Sequence, residues 1–179
     1  PIVSSLLAGD NGLTLPYTIG IPGNASVTDE RGSMTPGPNL TAVTYSGTSA
    51  IHRPDGKILI IHGQNQNTTT IFDPVTSTST AGPTLTTNVY YGSHSFQRPD
   101  GKFLVYLGNL TTTTNIYDPT TNAFTAGPAL AAGTIYNGAH TIQLPNGKFL
   151  TINGNSTQTT NIYDPITNTF TQGPNLTAN

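Results

Sequence analysis

Three short apolar runs, each ending in glycine, stand out from a chain otherwise rich in Thr, Asn, Ser and Gly: Ile58 to Gly63, Phe103 to Gly108 and Phe149 to Gly154. Each is too short for a helix and dense in Ile, Leu, Phe and Val, which predicts a strand buried on both faces. A turn signal precedes each run, as Pro54-Asp55-Gly56-Lys57, Pro99-Asp100-Gly101-Lys102 and Pro145-Asn146-Gly147-Lys148. Proline presets φ there, and Asp-Gly or Asn-Gly supplies the left-handed residue that closes a hairpin. Beyond each run a Thr-rich stretch leads into Ile71-Phe72-Asp73-Pro74, Ile116-Tyr117-Asp118-Pro119 and Ile162-Tyr163-Asp164-Pro165. This predicts a further strand, ended by a proline that cannot donate to the ladder. Thr121-Asn122 and Thr167-Asn168 make another turn before Phe124 and Phe170. No stretch has helical periodicity.

The landmarks recur on one frame. Gly-Pro-x-Leu opens at Gly37, Gly82, Gly127 and Gly173, with spacings of 45, 45 and 46 residues. A Tyr-x-Gly follows in each interval, at Tyr45 to Gly47, Tyr90 to Gly92 and Tyr136 to Gly138. The period predicts four strands per repeat of about 45 residues. Residues 1–36 fit the frame in degenerate form. Asp10-Asn11-Gly12 mimics the turn, Leu13 through Gly20 the apolar run, Asp29 lies near the Asp-Pro position, and Met34 falls where Phe124 and Phe170 fall. The missing Gly-Pro-x-Leu opening of that unit has another copy within 172–179. The expectation is one domain, 1–179, with full units at 37–81, 82–126 and 127–171. The degenerate unit 1–36 is then completed by 172–179 or by a neighbouring copy.

The repeat resembles the Kelch family. Gly92-Ser93-His94-Ser95 and Gly138-Ala139-His140-Thr141 are similar to the family's first strand, and Tyr163-Asp164-Pro165-Ile166-Thr167-Asn168 to its Tyr-Asp-Pro-x-Thr-Asn corner. The family's Gly-Gly doublet is reduced to His62-Gly63, Leu107-Gly108 and Asn153-Gly154, and its Trp position holds Ser79, Phe124 and Phe170. The resemblance covers the whole chain and implies an all-β fold, a β-propeller built of four-stranded Kelch-like blades in four repeats. Such rings close by building one blade from both termini. The same cut also permits a neighbouring copy to complete the blade, or a longer array. Kelch-like rings usually have six or seven blades, so self-association or a longer parent ranks above a closed monomer.

Charge is sparse: 8% of the 179 residues are charged and the formal net charge is −2. This leaves no electrostatic footprint for nucleic acid or an anionic membrane. No run approaches the length that spans a bilayer, and no signal peptide is visible. There is no Cys, which excludes disulfides and thiolate chemistry. A chain that starts at Pro1 reads as processed or as a segment of something longer. Few charges with abundant Thr and Asn point to an extracellular or cell-surface protein.

Nearly all charges belong to the repeat, Glu30 and Arg31 being left over. No carboxylate pair in contrasting environments stands out for acid–base work. His94 and His140 hold equivalent positions, which the Kelch resemblance places on inner strands; a shared metal there would lack a supporting acid, and the plainer reading is a hydrogen-bonded histidine. His52 and His62 recur in no other unit and read as solvent-facing or packing variants. Galactose-oxidase-like enzymes also carry Kelch blades, but their cofactor resembles a Tyr cross-linked to Cys, and this chain has no Cys. Catalytic, cofactor-binding and metal residues are therefore expected to be absent. Asn24, Asn39, Asn67, Asn109, Asn155 and Asn175 open Asn-x-Ser/Thr sequons and are candidate glycosylation sites. The function expected is a non-enzymatic extracellular structural or assembly protein, partnered with itself by strand exchange into an oligomer or filament. The alternatives are a propeller binding module for glycan or protein ligands, or a fragment of a larger Kelch-containing secreted protein.

Overall fold

A computed structural model describes residues 36–154 and 157–177. Among them all regular structure is β, in twelve strands. The first sheet holds β1 (Ser49–His52), β2 (Ile58–Ile61), β3 (Thr69–Asp73) and β4 (Thr78–Ala81). The second holds β5 (His94–Gln97), β6 (Phe103–Tyr106), β7 (Thr114–Asp118) and β8 (Ala123–Ala126). The third holds β9 (His140–Gln143), β10 (Phe149–Ile152), β11 (Thr160–Asp164) and β12 (Thr169–Gln172). Each sheet is an antiparallel meander in sequence order. All three belong to the compact unit Gly37–Asn179. No closed ring is present among the described residues; the unit expected over 1–36 lies outside them up to residue 35, as do the last two residues of 172–179.

The sheets pack face to face through alternating side chains. From β6 and the residue after it, Phe103, Val105 and Leu107 join Ile51, Leu59 and Ile61 of the first sheet in one core. Leu104 and Tyr106 point the other way, into a second core with Phe149, Tyr163 and Phe170 of the third sheet. We call the side of each sheet that faces the sheet before it in the chain its leading face, and the opposite side its trailing face. Burial on both faces was expected of all three apolar runs, and only β6 is buried at every position. β2 and β10 alternate buried with half-buried residues, because among the described residues each is covered on one side.

The Gly-Pro-x-Leu segments link one sheet to the next. Thr69 Oγ1 donates to Pro83 O at 2.7 Å and Leu85 N donates to Asn67 O at 2.8 Å. Thr114 Oγ1 likewise donates to Pro128 O at 2.7 Å and Leu130 N to Thr112 O at 2.9 Å. These bonds seat Leu85 and Leu130, 3% and 7% exposed, in the two cores. A buried side chain of the third strand holds the next stretch of linker: Asn115 Oδ1 accepts from Thr86 N at 2.9 Å, and Asn161 Oδ1 from Ala131 N and Ala132 N at 3.0 Å each. The Tyr-x-Gly landmark has a steric origin. A Cβ on Gly47 would lie 1.9 Å from Tyr90 O, and one on Gly92 2.2 Å from Tyr136 O. Both glycines have positive φ, and a Cβ at either would strike the backbone of the next unit.

Candidate functional site: the clamps and end faces of the sheets

Most charged side chains are committed to the repeat. Lys57 meets Asp73 at 3.2 Å, Lys102 meets Asp118 at 2.9 Å, and Lys148 meets Asp164 at 3.0 Å, each pair within one sheet. The same carboxylates accept from Val75 N, Thr120 N and Ile166 N and so shape the Asp-Pro corner. The lysine hydrogen bond, helped by these backbone donors, holds all three Asp below the usual carboxylate range. These contacts make the three carboxylates corner pieces of their sheets.

The arginines reach between sheets. Arg53 is braced by Asp55 through Nε at 3.2 Å and a terminal nitrogen at 3.0 Å. Its other terminal nitrogen crosses to the second sheet, donating to Tyr117 Oη at 2.7 Å and Asn122 Oδ1 at 2.6 Å. Arg98, braced by Asp100 at 3.1 Å, donates to Asn168 Oδ1 at 3.1 Å and lies over the Tyr163 ring of the third sheet at 5.8 Å. Each clamp runs one way, from the turn of one sheet to the leading face of the next. The same backbone turn bond fixes the equivalent position in the third sheet as Leu144, since Arg53 N, Arg98 N and Leu144 N donate to Lys57 O, Lys102 O and Lys148 O. Asn146 replaces the bracing aspartate there. On the leading face of the first sheet, the positions of Tyr117 and Asn122 hold Phe72 and Ser77; Phe72 pairs with Ile58 as Tyr117 pairs with Phe103, and Ser77 and Asn122 share a φ of 52°. The sequence placed these arginines only before the turn. Their partners could have been found by noting that Arg, Tyr and Asn vary together between units.

Two of the four histidines have both ring nitrogens engaged. His94 Nδ1 bonds Gly92 O at 3.0 Å and Nε2 bonds Thr141 Oγ1 at 2.9 Å, while its ring stacks on Tyr106 at 4.4 Å. Thr141 and Tyr106 both contact Thr151, which closes a polar network between the second and third sheets. Burial lowers the pKa of His94 and raises that of the Tyr106 hydroxyl. His62 is fully buried, bonded to Thr68 Oγ1 at 2.9 Å and Thr70 Oγ1 at 2.7 Å, and desolvation lowers its pKa as well. His52 and His140 are exposed, while His94 is held by hydrogen bonds on both ring nitrogens. Of the sequon residues, Asn39, Asn109 and Asn175 are exposed and Asn67 is half-buried; Asn24 and Asn155 lie outside the described residues.

The trailing face of the third sheet is apolar, and no other sheet covers it among the described residues. Register places Ile142, Leu150 and Ile162 in one row with Ile152 beside it. In the second sheet the same row is Phe96, Leu104 and Ile116 with Tyr106 beside it, all four in the core against the third sheet. Ile142 is 45% exposed, and Leu150, Ile152 and Ile162 are half-buried. The segment leaving the third sheet makes the linker bonds of its predecessors: Thr160 Oγ1 donates to Pro174 O at 2.6 Å and Leu176 N to Gln158 O at 2.8 Å. Yet Leu176 is 40% exposed, where Leu85 and Leu130 are buried.

No protein-family profile matches the chain, and no curated protein matches it. A solved structure does. It is described as a novel fungal alcohol oxidase with catalytic diversity among the AA5 family, in complex with copper. The similarity has a TM-score of 0.56 at 17% identity, over 72% of this chain and 30% of that one. The chain thus spans under a third of that structure, and at this identity the likeness is one of fold alone.

Copper finds no fitting donor set in the described residues. No three His, Cys, Asp or Glu side chains among them converge on a point that could hold a metal ion. Both ring nitrogens of His94 and of His62 are already engaged, and the chain contains no Cys. No helix among the described residues is long and apolar enough to cross a membrane.

Proposed function

We propose that this chain is a non-enzymatic, extracellular structural protein whose sheets are Kelch-like propeller blades, and that it works by associating with itself. The observation that carries this reading is the trailing face of the third sheet. Ile142, Leu150, Ile152, Ile162 and Leu176 repeat a surface that is core one unit earlier, which is the mark of an interaction face rather than of an ordinary solvent face. The donor set among the described residues gives no support to oxidase chemistry. Low charge favours close lateral packing of copies, and Thr- and Asn-rich, Cys-free composition favours a surface location.

The test is the native mass, by light scattering on a sizing column across a range of concentrations. Association that strengthens with concentration is expected. A monomer at every concentration refutes the assembly role. A second reading, a binding module for glycans, draws on the exposed Tyr45 and on the Tyr91 and Tyr136 rings 6.1 Å apart beside Gln64, whose amide donates to Tyr91 Oη at 3.3 Å. Retention on a glycan array by monomeric chain would favour it.

A further inference from the structure

We propose that the trailing face of the third sheet binds the leading face of the first sheet of a second copy, head to tail, as an apolar joint that lacks the arginine clamp. This rests on the assembly reading and names its partner surface. Three observations support it.

The first is continuity. The linker after the third sheet is held by the bonds that elsewhere deliver a leucine into the joint with a following sheet, and Leu176 stands exposed at that position. The second is the state of the opposite end. On the leading face of the first sheet, Ile58, Ile60 and Phe72 are half-buried, whereas their counterparts Phe103, Val105 and Tyr117 are buried between the first and second sheets.

The third is the paired loss of the clamp. Two joints within the chain carry Arg–Asp on one side and Tyr–Asn on the other. At the open ends both halves are gone together. The third sheet offers Leu144 and Asn146, and the first sheet offers Phe72 and Ser77. An arginine facing Phe72 would carry a terminal donor with no tyrosine or asparagine acceptor, and a Tyr–Asn pair facing Leu144 would lose its donor. Leu144 against Phe72 avoids both. The altered pair also sets specificity, because a clamped sheet from inside the stack would be a poorer partner for either end than the complementary end.

The experiment installs and then repairs the clamp. Leu144→Arg with Asn146→Asp should weaken self-association about tenfold or more, as for an interfacial charge whose donors go unmatched. Adding Phe72→Tyr and Ser77→Asn to the same chain should restore it. Ile142→Lys, at an exposed position where folding is not at risk, should weaken association and should not be rescued by the second pair. Wild-type association that ignores the first double variant, or that the four-fold variant fails to restore, overturns the joint. If that association is instead abolished by Gln172→Pro, whose N–H faces the free edge of the last strand, copies pair edge to edge, and assembly stands while this joint falls. If the wild type never associates, the face is filled from within one copy and both readings fall.

Discussion

Leu104 and Leu150 occupy the same register position in successive sheets, so truncating each measures how fully its surroundings close over it. Leu104 is fully buried between the second and third sheets, in contact range of a core that includes Phe149, Tyr163 and Phe170. Leu104→Ala removes two methyls and the methine and opens a cavity walled on both sides. The cost is about 3 kcal/mol, within the range for enclosed leucines. Leu150 has Ile142 and Ile162 beside it in the sheet and no sheet over it among the described residues. Leu150→Ala therefore loses part of a transfer free energy and leaves no enclosed void, for about 1 kcal/mol.

Urea unfolding followed by circular dichroism reads the difference. With a denaturant slope of roughly 2 kcal/mol per molar, the midpoint moves by about 1.5 M for Leu104→Ala and about 0.5 M for Leu150→Ala. These values apply at dilutions where the chain is monomeric. At concentrations where copies associate, the Leu150→Ala penalty should grow toward that of Leu104→Ala, because association supplies the missing wall. Equal penalties in the monomer would refute the reasoning, since Leu150 would then already be enclosed within one chain.

Arg53→Met keeps the stem and removes the donors to Tyr117 and Asn122. Those two remain bonded to each other at 2.9 Å, so the loss of stability in urea melts should be modest, roughly 1–2 kcal/mol, and no change would mean the clamp is decorative. His62 and His94 have lowered pKa values, so the unfolded chain takes up protons before the folded one does. Stability should therefore be full above 6.5 and decline as pH falls below it, and His62→Gln with His94→Gln should flatten that limb in urea melts at stepped pH. The Lys-paired carboxylates of Asp73, Asp118 and Asp164 act lower. Their contribution is present above 3.8 and is lost as pH falls through their depressed values, a second limb that Lys57→Met, Lys102→Met and Lys148→Met together should shrink.

The sheets were legible because their signals are local. Asp-Gly and Asn-Gly turns, proline stops and apolar runs each act within a few residues, and β1 to β12 follow them unit by unit. The joints were less legible because they depend on register between sheets. Asn115 and Asn161 carry no local signal that sets them apart from their Thr-rich strands, yet each is buried and holds a linker between sheets. His62 read as a solvent-facing or packing variant and is a fully buried hydrogen-bonding group, because its two threonine partners lie six and eight residues on, in the following loop and strand. Equal burial of all three apolar runs failed for a similar reason. Composition shows that a run is apolar, and only the stacking shows how many of its faces are covered.

The clamps also give the stack a direction. Arg53 and Arg98 both donate forward, to Tyr117 and Asn122 and to Asn168, and no joint within the described residues carries the reverse arrangement. The two end faces are thus different surfaces, and a contact between them is heterologous. Such contacts do not yield a two-fold dimer of like faces; repeated, they close a ring if the rotation permits and otherwise run on as a filament. The distribution of masses then carries structural information. A single discrete species above the monomer means a closed ring, and a ladder that lengthens with concentration means an open stack. A dimer in which Ile142 of both copies is protected together, with Phe72 of both left exposed, would contradict the direction set by the arginines.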